Sequence, residues 1–493
     1  MILQTMTRYG AVEGVPSPTE GIAIFKGVPF AKPPVGELRW RAPQPPEKWE
    51  GVRKCDKYMN GAMQSKPKVP FYIDEFPIDY TKVTFGEDCL YLNIWTPAKS
   101  ADEKLPVMMW IHGGGNEVGF PHEPEHDGDG LASRGVIYVS VTYRLNIFGF
   151  FAHPELTAES EYGASGNYGN LDHLAALRWL RENIAAFGGD PDNITIFGQS
   201  AGAGDVHTLA VNPFAKGLFN RAISMSGSGA ASLMRTARLS DLEALGLEFQ
   251  KAAGCSSLAE LRAAPADFLF KLSEEKHFGF GTCVDNYILS DDFSNLIREG
   301  KHHKVSYMVG SCSHEGAAFG EGYKNSVGTF NAQVERMFRD YAEKAIELYG
   351  VKTDEDAKNC KRDLMADGAA YGTHLWALAH LEHGLDPVYL YLFDRCIPDK
   401  DGNPSWESAY HSGDLWYVHG TIGRSWRGMG PDDYKTSNLM MDYWTNFAKT
   451  GDPNGEGLPV WKPYTREEPG TMVINENAGM SDLLDNPGVK ILA

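Results

Sequence analysis

The chain has 493 residues, 42% hydrophobic and 12% aromatic, with a formal net charge of −19. That is the composition of a globular protein with a large core, and its excess of acid would repel nucleic acid and anionic membranes, so neither is expected as a partner. No apolar run approaches the roughly 18 residues of a spanning helix, and Met1-Ile2-Leu3-Gln4-Thr5 lacks the charged and apolar regions of a signal peptide, so an unexported chain without membrane attachment is expected.

In chain order, the first 60 residues read as edge strands and turns, with Gly21 to Phe30 followed by prolines at 33, 34, 43, 45 and 46 that hold the chain extended. Two continuous apolar runs, Leu105 to Ile111 and Val136 to Tyr143, predict central strands covered on both faces, as in a largely parallel sheet. Apolar residues at helical spacing from Leu171 to Ile184 predict a helix, and Asn193 to Phe197 a buried strand after it, giving a βαβ rhythm. Further strands are predicted at Ala222 to Met225, Val305 to Val309, Val388 to Phe393 and Thr471 to Ile474. Helical insertions at about 235–275 and 328–382 are expected to cap the carboxyl ends of the strands, where such sheets bind ligands. No linker rich in Gly, Ser or Pro divides the chain, so residues 1–493 are expected to form a single α/β domain.

Gly198-Gln199-Ser200-Ala201-Gly202 is the only G-x-S-x-G in the sequence. It lies between a predicted strand and a helix opening at Ala201, the setting in which a sharp turn exposes a nucleophilic serine. A serine hydroxyl is a poor nucleophile, so it needs a base within hydrogen-bond reach and an acid to orient that base. Glu315 follows the strand at 305–309 and is the candidate acid; His411, beyond the strand at 388–393, is the candidate base, in the chain order serine, acid, histidine. His207, two turns into the nucleophile helix, is read as packed or hydrogen-bonded, His419 as a weaker base, and His314 as turned away from its neighbour Glu315. Oxyanion donors are expected from His112-Gly113-Gly114-Gly115-Asn116, whose glycines leave N–H groups bare, and from the N–H of Ala201. The seven cysteines are widely spread, with no C-x-x-C and no H-E-x-x-H, so no metal is expected and the thiols are read as reduced.

Together with Phe25-Lys26-Gly27-Val28-Pro29-Phe30-Ala31-Lys32-Pro33-Pro34, Glu87-Asp88-Cys89-Leu90-Tyr91-Leu92-Asn93-Ile94-Trp95, Phe187-Gly188-Gly189-Asp190-Pro191 and the segment from Trp444 to Asn454, these motifs make the chain resemble the type B carboxylesterase family, which includes the cholinesterases and bacterial p-nitrobenzyl esterases. The resemblance spans nearly the whole chain and suggests a bacterial member. It implies an α/β-hydrolase fold and a serine esterase acting on a small-molecule ester without a cofactor. Ser200 would be the nucleophile, Glu315 the acid and His411 the base, with N–H donors at Gly114, Gly115 and Ala201. It further implies that Arg39 with Glu87, and Arg144 with Asp172, are structural ion pairs.

The departures from the family pattern carry information of their own. Cys89 matches a cysteine that secreted relatives bridge to one near position 62, which is Ala62 here, and Cys255 faces Glu260 where a partner is usual; losing both implies a reducing compartment, the cytoplasm. Gln199 replaces the glutamate usual before the serine, and Leu233 stands where cholinesterases carry an acyl-pocket tryptophan. No tryptophan lies between 51 and 94, where cholinesterases place their choline-stacking ring, so a quaternary ammonium substrate would lose its anionic neighbour and its aromatic face. Asn116 stands where an aromatic often follows the glycines, and Asp205 interrupts the small residues of the nucleophile helix; either could touch substrate, although Asp205 is read first as capping or pairing within the first helical turns. A general carboxylesterase is the first reading. A narrower esterase for hydroxycinnamoyl or other aromatic esters fits an open pocket at Leu233, and a non-catalytic binding protein is the remaining class.

Overall fold

Eleven strands form one sheet: β1 (Val15–Pro16), β2 (Ala23–Pro29), β3 (Tyr91–Thr96), β4 (Leu105–Ile111), β5 (Ile137–Val141), β6 (Gly189–Gln199), β7 (Arg221–Met225), β8 (Ser306–Cys312), β9 (Val388–Phe393), β10 (Thr471–Ile474) and β11 (Gly479–Ser481). The structure is a computed structural model and describes residues 1–227, 229, 236–320, 322–383, 387–483 and 485–492. The spatial order is β11-β10-β9-β8-β7-β6-β4-β5-β3-β2-β1. The run from β5 to β10 is parallel throughout, and antiparallel pairs complete both edges. Helices α1 (Tyr168–Asn183), α2 (Ala201–Val211), α3 (Leu364–Glu382) and α4 (Pro431–Thr450) pack on this sheet.

β4 shows why its sequence is apolar at every position. Val107, Met109 and Ile111 join one buried layer with Leu174, Leu177 and Leu180 of α1, whereas Met108 and Trp110 join the other with Met440, Trp444 and Phe447 of α4. Successive side chains of a strand point to opposite faces, so a strand covered twice has no polar side. The predicted strands all occur, and the first 60 residues form the β1–β2 edge together with a separate three-stranded sheet, Gln4–Met6, Ala11–Glu13 and Val52–Lys54. This is the α/β-hydrolase architecture expected from the motifs.

The first insertion is three helices, Leu239–Ala252, Leu258–Ala263 and Ala266–Lys276, between β7 and β8. The second needs a partial correction. Val327–Phe338, Ala342–Tyr349 and Asp354–Asn359 do lie off the sheet, around a small core of Phe330, Val334, Phe338 and Leu364. α3, however, packs on β8 and β9 and is the crossover that joins these parallel strands, a frame element rather than an excursion. It is apolar nearly all round because the sheet covers one side and the insertion another, so its sequence carries no amphipathic contrast.

Both expected ion pairs form. Glu87 accepts from Nε and Nη2 of Arg39, each at 2.6 Å, and Asp172 accepts from Nε and Nη2 of Arg144 at 2.8 and 2.7 Å. The seven cysteines are unpaired, and among the described residues no helix is long and apolar enough to cross a membrane. The side chains of Arg144 and Asp172 are 3% and 0% exposed, so removing one charge strands the other away from water. Asp172→Asn should therefore lose about 3–5 kcal/mol of stability, read as a lower denaturant midpoint with an unchanged slope; a loss below about 1 kcal/mol would contradict a structural role.

Candidate active site

The serine sits where β6 turns into α2. Ser200 has φ 56° and ψ −121°, a left-handed conformation that a side chain tolerates only when its surroundings enforce it. Its N–H donates to Met225 O at 2.9 Å and its carbonyl accepts from Gly204 N–H at 3.1 Å, so both ends of the turn are tied. The flanking glycines are required by close approach of backbone: a Cβ on Gly198 would lie 2.5 Å from Gly202 O, and one on Gly202 would lie 2.2 Å from Ile111 O.

Glu315 opens a short turn directly after β8, and its Oε1 accepts from Ser226 Oγ–H at 2.7 Å and Cys312 N–H at 2.8 Å. Its Oε2 accepts from Nδ1–H of His411. With Nδ1 carrying the proton, Nε2 presents a lone pair, and Gln199 Nε2–H lies 3.3 Å from it. Ser200 and His411 line the same cavity, but among the described residues no hydrogen bond joins Ser200 Oγ to the imidazole. Such contacts commonly tighten only when substrate is bound. The backbone carbonyl of His411 accepts from Tyr72 O–H at 3.1 Å, and the Phe319 ring lies 5.3 Å from the imidazole.

The glycine loop runs beside the serine. A Cβ on Gly113 would meet Gln199 O at 2.7 Å and Ser200 Cβ at 3.0 Å, and one on Gly114, whose φ is +101°, would lie 2.0 Å from Val118 O. Among the described residues no acceptor is bonded to the N–H groups of Gly114 and Gly115, and the N–H of Ala201 opens α2, where a helix leaves its first donors unpaired. Two chambers meet at Ser200. The smaller, about 330 Å³, is bounded by Tyr72, Phe76, Gln199, Phe319 and the pair Glu123 and Glu125. The larger, about 520 Å³, is bounded by Asn116, Ala201, Asp205, Thr208, Thr236 and Phe293.

Burial governs the charges around these chambers. Desolvation pushes Glu123 up to about 7 and Glu125 well above the ordinary range, the latter further raised by Glu123. With His126 they form a group whose ligand atoms lie within 4.8 Å of one another, the kind of donor set that could hold a metal. Asp205 and Asp414 are each raised to about 7, again by burial; Glu315 adds to the effect on Asp414.

Of the residues singled out in the sequence, Gln199 and Asn116 border the chambers. Asn116 is also tied into the frame through Tyr143, whose hydroxyl lies 2.9 Å from His112 O and 3.0 Å from Asn116 Oδ1. Asp205 accepts from Asn116 at 3.4 Å rather than capping its own helix. Leu233 lies outside the described residues. His207 bonds Ser224 Oγ and Tyr307 O–H at 2.8 and 3.0 Å, His314 bonds Ser313, and His419 is buried among Trp110, Tyr138 and Phe197. Ser226, Tyr72 and the Glu123–Glu125 pair were missed. Nothing in their spacing links them to Ser200; only the folded chain brings them there.

The family model described as "Carboxylesterase family" matches residues 3–491. The chain is 34% identical over 478 residues to a fumonisin B1 esterase of Sphingopyxis macrogoltabida, covering 93% of this chain and 84% of that one. It is also 34% identical over 489 residues to the para-nitrobenzyl esterase of Bacillus subtilis, covering 95% and 94%. A solved PNB esterase superposes with a TM-score of 0.85 at 31% identity over 100% of both chains, and a Geobacillus stearothermophilus carboxylesterase with 0.82 at 32% over 98% and 99%. The chain belongs to the carboxylesterase family and is a carboxylic ester hydrolase.

Proposed function

We propose that hydrolysis proceeds through an acyl-enzyme on Ser200. The observation that carries this reading is the hydrogen-bond chain from Ser226 and Cys312 through Glu315 to Nδ1 of His411, which fixes the imidazole tautomer with Nε2 free to accept a proton. Nε2 takes the Ser200 proton as Oγ attacks the ester carbonyl, and Glu315 stabilises the imidazolium that results. The N–H groups of Gly114, Gly115 and Ala201 receive the oxyanion, and their worth lies in being held in place before charge develops. His411 then protonates the departing alkoxide, water enters, and the same residues work in reverse to release the acid.

The leaving oxygen collects its proton from Nε2 of His411, which borders both chambers, and Gln199, the neighbour of that atom, lines the smaller alone. The alcohol portion is therefore assigned to the smaller chamber and the acyl portion to the larger. With Gln199 neutral and burial opposing charge on the carboxyls of Glu123 and Glu125, the alcohol chamber disfavours a fixed anion, so neutral alcohols are the preferred leaving groups. An acyl chamber of about 520 Å³ favours groups bulkier than acetyl and keeps the aromatic-ester reading in play.

Ser200→Ala should reduce turnover of p-nitrophenyl butyrate to background while the fold is kept, and wild-type enzyme should take up one organophosphate at Ser200; activity near wild type in the variant would end this reading. Ser226→Ala removes one of the two donors to Oε1 of Glu315 and should lower kcat about 10-fold with little change in KM. Acetylcholine should be hydrolysed no faster than its uncharged isostere 3,3-dimethylbutyl acetate, and a clear preference for the cation would contradict the neutral alcohol chamber.

A further inference from the structure

A carboxylate that lines neither chamber grips the loop of His411 from both sides. Glu75 ends the short helix Pro70–Glu75, and its Oε1 accepts from Tyr410 O–H, one residue before the histidine, and from Trp416 Nε1–H at 3.0 Å, five residues after it. Both of its oxygens also accept from Arg427 Nε, at 3.1 and 2.8 Å, and Oε2 lies 2.7 Å from Arg427 Nη2. The side chains of Arg427 and Glu75 are 3% and 1% exposed, so the pair is buried. Arg427 is fixed in turn, donating from Nη1 to Pro398 O at 2.9 Å with its guanidinium 5.1 Å from the centre of the Tyr410 ring. Tyr72, three residues before Glu75 on the same helix, donates to the carbonyl of His411 itself at 3.1 Å. One short helix thus holds residues 410, 411 and 416.

The backbone of this loop is strained enough to need such a grip. Ser408 and Ser412, on either side of His411, have φ of 46° and 76°, a left-handed conformation that costs about 1–3 kcal/mol at each residue and persists only where surrounding contacts over-determine it. The acid's side of the site contributes one of those contacts, from His314 N–H to Ala409 O at 3.1 Å. Glu315 fixes the tautomer and the turn of the ring through Nδ1, but the reach of Nε2 toward Ser200 depends on where the backbone of residues 410–412 lies. A buried ion pair is poor evidence of stability, since apolar groups of similar volume can often replace it. What apolar packing could not supply is direction: donors from Tyr410, Trp416 and Arg427 converge on a single carboxylate.

We propose that Glu75 is a positioning residue for catalysis: by fixing Tyr410 and Trp416 it holds the backbone of His411 so that Nε2 serves both as base toward Ser200 and as acid toward the departing alcohol. The same helix contributes Tyr72 to the wall of the smaller chamber, so that wall and the histidine are held as one unit. This inference rests on the acyl-enzyme reading.

The test compares p-nitrophenyl butyrate with ethyl butyrate, each rate taken per serine titrated with an organophosphate. Nitrophenoxide departs without help, whereas ethoxide must be protonated from Nε2 as it leaves. A displaced imidazole therefore slows attack on both esters and departure from the ethyl ester alone. Glu75→Gln should lower kcat/KM about 10-fold for the aryl ester and about 100-fold for the ethyl ester, moving their ratio about 10-fold. Tyr410→Phe removes one donor and leaves Arg427 paired; it should move the ratio the same way by about 3-fold, and it provides the measurement if the glutamine variant does not fold. An unmoved ratio overturns the proposal, and so does an equal loss on both esters, because titration has already removed any loss of folded enzyme. Organophosphate labelling of wild type keeps the two readings apart: a labelled Ser200 with an unmoved ratio sinks only the role of Glu75, whereas an unlabelled serine sinks the acyl-enzyme itself.

Discussion

The close crossing of backbones at Gly202 is the constraint on which the site depends. Gly202 lies so near Ile111 O and His112 O that no side chain fits between them. This contact presses the start of α2 onto the end of β4, and it can exist only because β6 and β4 are direct, parallel neighbours. The glycine loop that follows β4 is thereby brought against Ser200, close enough that a Cβ on Gly113 would meet Gln199 O and Ser200 Cβ. The strained φ of Ser200 is the local consequence, held by its bonds to Met225 and Gly204.

The same parallel order supplies the other two groups. β7 and β8 lie successively outward from β6, and β9 follows β8, so Ser226, Glu315 and the segment leading to His411 emerge at one end of the sheet. Alignment of this kind is the general reason why open α/β sheets bind ligands beyond the carboxyl ends of their strands. Glu315 shows how burial is handled there. Its Oε1 takes two hydrogen bonds from the frame and its Oε2 one from the histidine, whereas Glu125 and Asp205 each have an oxygen without a partner among the described residues, and burial raises both. A chain of charge −19 thus surrounds its serine with acids of two kinds, one ordered by hydrogen bonds and others disposed to be neutral.

Much of this was legible in the sequence because the steric demands are local. The glycines at 198 and 202, the run 113–115 and the twice-buried strands β4 and β5 leave composition signals that periodicity and motif reading detect. The role of α3 was harder to see. A helix enclosed by the sheet on one side and other helices on the other shows no polar stripe, so it was grouped with the insertion preceding it. The chamber walls were hardest, because Tyr72, Glu123 and Glu125 come from segments far apart in sequence that converge only after the sheet has formed. Asp205 stands out in the sequence as an interruption in a row of small residues, yet only the folded chain shows that it meets Asn116.

Gln199 links the geometry of the turn to the chemistry of the chamber beside it. A carboxylate in its place would lie against Nε2 of His411 and favour the imidazolium, holding the base in its protonated form before substrate arrives. It would also put a negative charge in the wall of the smaller chamber. An amide satisfies the Nε2 lone pair without either effect, and its weak neutral bond at 3.3 Å can yield to the serine hydroxyl when an ester displaces it. The frame therefore brings Ser200 and the hydrogen-bonded pair His411 and Glu315 to one end of the sheet, while one uncharged side chain adjoining the serine sets the electrostatic character of the smaller chamber beside them.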